Sequence, residues 1–154
     1  MSDKPRVLVS ACLMGVQCRY DGKAQPMDRL AEILSALHPI PVCPEQLGGL
    51  CTPRVPAERR GTRVVNRDGA DVTDAFERGA AQVCALASLC GARCALLKAR
   101  SPSCGCGEIY DGSFTGRIIP GSGVAAQALE RMGVPVFTEA QLAQLIDYLE
   151  GNKP

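Results

Sequence analysis

The chain predicts an α/β fold, a Rossmann-like and mainly parallel sheet flanked by helices, on three observations. Short apolar runs rich in branched residues alternate with helical apolar stripes, and Gly, Pro, Ser and Asn gather at the boundaries between them. The strand runs are 6–10, 39–42, 95–98 and 134–137. Each is short and apolar on successive residues, as expected of a strand buried on both faces.

The helices follow from spacing. Leu30, Ile33, Leu34 and Leu37 form one stripe over 28–37 and join the first two strands. A second helix is expected from Thr73 or Asp74 to Leu89, with Phe76, Ala80, Val83 and Ala87 inward and Asp71 or Thr73 as its cap. Ser122 is placed to cap a third that carries Val124, Leu129 and Met132 and stops at Gly133. Thr138 and Gln141 form a capping-box pair ahead of Leu142, Leu145, Ile146 and Leu149, with Gly151 after the end. Turn chemistry marks two small hairpins, one at Asn66-Arg67-Asp68-Gly69 and one at Asp111-Gly112. With no repeat, low-complexity segment or linker, residues 1–154 are expected to form one domain.

Bulk properties narrow the function classes. A formal net charge of +1, from 17 basic and 16 acidic residues, argues against a nucleic-acid polymer or membrane surface as partner. No apolar stretch reaches the roughly 18 to 20 residues of a membrane span. Val7 to Val16 imitates a short signal sequence but reads better as a first strand, since Arg19, Asp21 and Lys23 follow without a small-residue cleavage pattern. Nine cysteines, an odd number, fit a reducing, cytoplasmic setting better than a disulfide framework. No feature selects an oligomeric state.

Ligands of an open parallel sheet bind beyond the carboxyl ends of its strands. Cys12 follows the first strand, Cys43 the second and Cys104 the third, so three exits present one thiol each to the same edge. Thiolates are soft ligands for iron-sulfur clusters or zinc, and nearby Gly and Pro let the backbone turn around a bulky group. No Cys-x-x-Cys pair announces zinc. The fourth strand exits into Thr138-Glu139 without a thiol, which favours a site with one open position, although Cys18, Cys51 or Cys106 would be near enough to close it. Cys84, Cys90 and Cys94 read as small packing residues. His38, the only histidine, falls at a helix end and reads as a helix-dipole contact rather than a base.

Several blocks carry a family likeness. They are Ser10-Ala11-Cys12-Leu13-Met14-Gly15, Cys18-Arg19-Tyr20-Asp21-Gly22, Cys43-Pro44-Glu45 with Gly48-Gly49-Leu50, Pro53-Arg54 with Pro56-Ala57-Glu58, and Lys98 with Ser101-Pro102-Ser103-Cys104-Gly105. Together they resemble the TudS-type thiouracil desulfidases, a family first catalogued as a domain of unknown function, over nearly the whole chain. The resemblance implies a 4Fe-4S cluster held by Cys12, Cys43 and Cys104, with one iron open to the sulfur of a thiolated uracil. It also places the acid-base carboxylate on Glu45 and the active-site serine on Ser101. Cys51 and the Cys-Gly-Cys step that ends at Cys106 depart from the pattern.

The expected activity is therefore hydrolytic and non-redox: sulfide is released from a thiolated pyrimidine base or nucleotide, with Glu45 as general base on water and Ser101 bonded to water or pyrimidine. Ser103 is a further candidate substrate contact. Arg19, Arg54, Arg59, Arg60 and Arg100 are candidates for holding a phosphate by forked bonds, and Gly121-Ser122-Gly123 ahead of a helix for cradling one. Two alternatives remain open. One is a non-catalytic zinc- or cluster-binding regulatory module; the other, a thiol-nucleophile enzyme, lacks a convincing base.

Overall fold

The computed structural model describes residues 3–151. Four strands, β1 (Arg6–Ser10), β2 (His38–Val42), β5 (Cys94–Leu97) and β8 (Val136–Thr138), form an all-parallel sheet in the order β2-β1-β5-β8. The expected α/β class and parallel sheet are present; β1 coincides with its apolar run, and the other three strands differ from theirs by a residue or two. The last strand moves most, because the Val134 N–H closes the preceding helix on Leu129 O at 2.9 Å and only then does the chain extend.

Successive side chains of a strand point to opposite faces. Val7, Val9, Cys94 and Leu96 accordingly face one cluster with Ile33 of α1 (Leu30–Ala36), Leu37 just past its end, and Leu145 of α5 (Leu142–Leu149). Leu8, Ala95 and Leu97 face the other with Val83, Ala87 and Leu129, from α3 (Thr73–Cys90) and α4 (Val124–Arg131). Burial on both faces explains why these strands read as continuous apolar runs rather than alternating ones.

The caps differ in instructive ways. Thr138 and Gln141 do make the capping box, with Gln141 Oε1 accepting the Thr138 N–H at 3.0 Å, on a short 3-10 turn that leads into α5. Ser122 does not cap α4: Gly123 stands at that position. The N–H groups of Gly123, Val124 and Ala125 bond instead to the carbonyls of Gly105, Pro102 and Ser103. Neither candidate occupies the N-cap of α3, which is Val72: Asp71 stands one residue earlier and accepts the Thr73 N–H at 2.9 Å, while Thr73 is the first helical residue and its hydroxyl accepts the Val64 N–H.

Two antiparallel hairpins stand outside the sheet. The first pairs β3 (Ala57–Arg60) with β4 (Arg63–Asn66). The expected 66–69 turn follows and returns the chain antiparallel to β4 through the Val65–Asp71 bridge and the Asn66 N–H to Ala70 O and Val72 N–H to Val64 O bonds, so β4 is paired on both sides. The second pairs β6 (Glu108–Tyr110) with β7 (Ile118–Pro120). Among the described residues no helix is long and apolar enough to cross a membrane.

Candidate metal-cluster site

The register Ser10↔Val42 and Val9↔Leu96 brings the ends of β1, β2 and β5 level, so the segments that leave them share one edge. Cys12 lies in the 3-10 turn Ala11–Met14 directly after β1. Cys43 is the residue ahead of α2 (Pro44–Leu47), whose first residue is proline, the type that starts a helix without wasting an N–H. Cys104 sits in a tight loop in which Ser101 Oγ accepts the N–H groups of Ser103 and Cys104 at 3.2 and 3.0 Å. These three thiols and Cys18 line one cavity of about 570 Å³.

Glycine closes the packing behind two of these loops. A Cβ on Gly79 of α3 would fall 1.9 Å from Pro44 O, and one on Gly48 2.0 Å from Ala75 O, so α2 and α3 meet backbone to backbone. A Cβ on Gly123 would fall 2.4 Å from the carbonyl carbon of Ser103, which seats α4 against the Cys104 loop. The positions of Glu45 and Cys104 therefore depend on side chains that are missing elsewhere.

Burial favours the protonated form of Cys12, Cys18 and Cys104. Burial pushes Cys12 up to about 12, aided by the like charges that Cys104, Cys18 and Cys43 would carry, with Lys98 opposing. Cys18 also rises to about 12, through burial and then Cys43. Burial raises Cys104 to about 11 against a hydrogen bond from Ser10 that favours its thiolate. Ser10 Oγ accepts the Lys98 N–H at 2.9 Å, so its own hydrogen is left for Cys104 Sγ, 3.3 Å away. A cationic group is what such a cavity needs to take up these thiols as thiolates.

The donor set fits a cluster. Among the described residues no three His, Cys, Asp or Glu side chains converge tightly enough for a single metal ion. A lone tetrahedral zinc requires thiolates about 2.3 Å from one centre. An iron-sulfur cluster takes each thiolate on a different iron, and thiols from three separate loops around one cavity suit that arrangement.

Glu45 is gripped at both oxygens. Arg54 Nε donates to Oε1 at 3.0 Å and Ser103 Oγ to Oε2 at 2.9 Å. Ser101 Oγ lies 3.0 Å from Ser103 Oγ. Since the Ser103 hydrogen goes to Glu45, Ser101 must donate to Ser103, and Glu45 is the common acceptor on which the Ser101–Ser103 chain and Arg54 converge from either side. Ser103, expected only as a substrate contact, is thus the serine that touches Glu45.

Arg54 was expected as a phosphate ligand and is committed elsewhere. Besides Glu45 it donates to the carbonyls of Cys18 and Cys51 and to Thr52 Oγ1, and the Arg54 and Glu45 side chains are only 8 % and 15 % exposed. Its sequence signal was its place between Pro53 and Pro56, a stiff segment able to hold one guanidinium against a carboxylate. Arg59 is likewise taken up by Gly61 O, Ser122 O and Gln127 Oε1, and Arg60 by Gly112 O. Arg19 and Arg100 line the cavity, paired with Asp21 and Glu108.

Gly121-Ser122-Gly123 lies outside the cavity lining, and the N–H groups of Gly121 and Gly123 are spent on Gly107 O and Gly105 O, so the segment cannot serve as an anion cradle. Cys106 turns away to Glu130 Oε1, and Cys51 is exposed. Cys94 is buried in the sheet core, while Cys84 and Cys90 are half-buried. His38 is exposed at the start of β2.

Fold and site together define a parallel α/β domain with a thiol-lined pocket at the carboxyl edge of its sheet and one clamped carboxylate beside it. A family described as 2-thiouracil desulfurase matches residues 7–141, and the chain belongs to that family. It is 39% identical over 150 residues to a Bacillus subtilis (strain 168) protein called uncharacterized protein YbbK, spanning 91% of this chain and 99% of that one. Its structure superposes with a TM-score of 0.91 on TudS, described as a 4Fe-4S-dependent thiouracil desulfidase. That protein is 44% identical, and the match covers 96% of this chain and 99% of the other.

Proposed function

We propose that this protein is an iron-sulfur-dependent desulfidase that hydrolytically replaces the sulfur of a thiolated uracil by oxygen and releases sulfide. Its cofactor is a 4Fe-4S cluster held by Cys12, Cys43 and Cys104 with one iron left open. The observation that carries this reading is the meeting of three thiols from three strand ends with the clamped carboxylate of Glu45 around a single cavity. Family membership and the likeness to TudS support it.

When bound, the cluster supplies a Lewis-acidic iron that draws electron density from the carbon-sulfur bond and makes the ring carbon a better electrophile. The chain supplies the proton chemistry. Glu45 accepts a proton from the attacking water, and Arg54 holds Oε1 so that Oε2 is the oxygen left to work. Ser103 occupies Oε2 in the resting arrangement and can swing its hydroxyl to the water or to the substrate as the proton arrives. Ser101 keeps Ser103 in place by donating to it while accepting two backbone N–H groups.

The balance closes without electrons. A thiocarbonyl and one water become a carbonyl and hydrogen sulfide, so no external donor is needed. Ser103 and Arg19 remain the polar contacts proposed for the rest of the substrate, a free thiolated base or its nucleotide.

Anaerobic reconstitution with iron and sulfide, followed by incubation with 2-thiouracil, tests the reading. A brown protein with about four irons per chain that releases sulfide and forms uracil is expected. Colourless protein with one tightly held zinc, or a loaded cluster without any sulfide release, would overturn it in favour of a regulatory metal module.

A further inference from the structure

The two hairpins and the segments beside them also line the cavity, through Ala57, Glu58, Arg67, Tyr110 and Phe114. Loop 111–117 between β6 and β7 is fastened to β3 at several points. One carboxylate oxygen of Glu58 accepts the N–H groups of Gly112 and Phe114 at 3.0 and 3.1 Å, and Arg60 Nε donates to Gly112 O at 2.7 Å. Phe114 is thereby held at φ 59°, in the left-handed region that a bulky side chain adopts only where its surroundings over-determine it.

The strained ring serves no core. Phe114 belongs to neither apolar cluster of the sheet. It is half-buried and lines the cavity beside Arg67, whose guanidinium carbon stands 5.7 Å from the ring centroid. Stacking of a guanidinium on an aromatic ring makes a flat, electron-responsive surface, and both partners are groups on which nucleobases stack.

We infer that the Phe114–Arg67 pair is the specificity-determining surface of this enzyme: it receives the face of a flat heterocyclic ring and so presents the ring's thiocarbonyl toward Glu45 and the thiols. The inference rests on the desulfidase reading and adds the surface that selects the substrate's ring. A stack that is equally strong before and during reaction lowers KM without changing kcat.

The test uses reconstituted holoenzyme as wild type, Phe114→Ala, Phe114→Tyr and Arg67→Gln, each checked for iron content and melting temperature. Turnover of 2-thiouracil is measured alongside equilibrium dialysis of uracil, which binds without releasing sulfide. For Phe114→Ala, KM and the uracil Kd should both rise roughly 10-fold, within the range of one base-aromatic stack, while kcat and iron content stay near wild type. Phe114→Tyr should restore both constants, and Arg67→Gln should give a smaller rise in each. Unchanged binding constants in Phe114→Ala, or a loss confined to kcat, would overturn the assignment. Wild type that binds uracil, with the expected variant pattern, yet releases no sulfide would sink the desulfidase reading alone.

Discussion

Glu45 and Ser103 lie 58 positions apart in the chain and meet through a 2.9 Å hydrogen bond, carried there by the exits of β2 and β5 on either side of β1. The bond joins the loop of one proposed cluster thiol to the loop of another, since Cys43 precedes Glu45 by two residues and Cys104 follows Ser103 directly. The proposed base and the proposed ligands therefore share one hydrogen-bonded link.

Replacing Glu45 by Gln keeps the shape and an acceptor for Arg54 but removes the proposed base. Sulfide release should fall about 10²- to 10⁴-fold with cluster absorbance unchanged. Stopped-time assays at matched iron content check this, and full turnover would remove Glu45 from the mechanism.

Arg54→Ala should cost about 3 kcal/mol of stability, the low end for breaking a buried ion pair. It leaves Glu45 without its partner and also strips a donor from the carbonyls of Cys18 and Cys51. Denaturant unfolding measures the loss. Arg54→Lys should recover only part of it, because an ammonium cannot reproduce the fork.

Gly79→Ala tests the seating of α2. The added methyl would meet Pro44 O at 1.9 Å, where backbone rather than a flexible side chain must yield. A loss of about 1–3 kcal/mol is expected, with turnover falling as Glu45 shifts. Ala80→Gly on the same helix should cost only about 1 kcal/mol of propensity plus one lost methyl, and should spare turnover.

Cys94 and Cys106 lie off the proposed cluster and are both pushed up to about 12, mainly by burial. A thiol raised in the folded state stays protonated while the unfolded chain loses its proton. Its stabilisation is full below the ordinary value of 9.0 and declines as pH rises from there toward 12. Urea melts from pH 8 to 11 should show that decline, and a shallower one in Cys94→Ala. At neutral pH, iodoacetamide should label exposed Cys51 well before Cys94.

Local chemistry in the chain accounts for much of this. Buried parallel strands announce themselves as unbroken apolar runs, and a thiol just after such a run has to lie at the carboxyl edge, so Cys12, Cys43 and Cys104 were legible before any coordinates. The Thr138–Gln141 box was legible for the same reason: capping depends on residues within one turn.

Partners far apart in sequence were decided only by the tertiary structure. Whether Arg54 meets a phosphate or Glu45, whether the N–H groups at Gly121 and Gly123 face a ligand or the 101–107 loop, and whether Phe114 faces the cavity all depend on contacts between separate loops. Periodicity and propensity are short-range signals, and they settle which elements form and at which edge their ends emerge. A side chain's last hydrogen bond is settled by which other loop arrives within about 3 Å of it, and that is a property of the packed molecule.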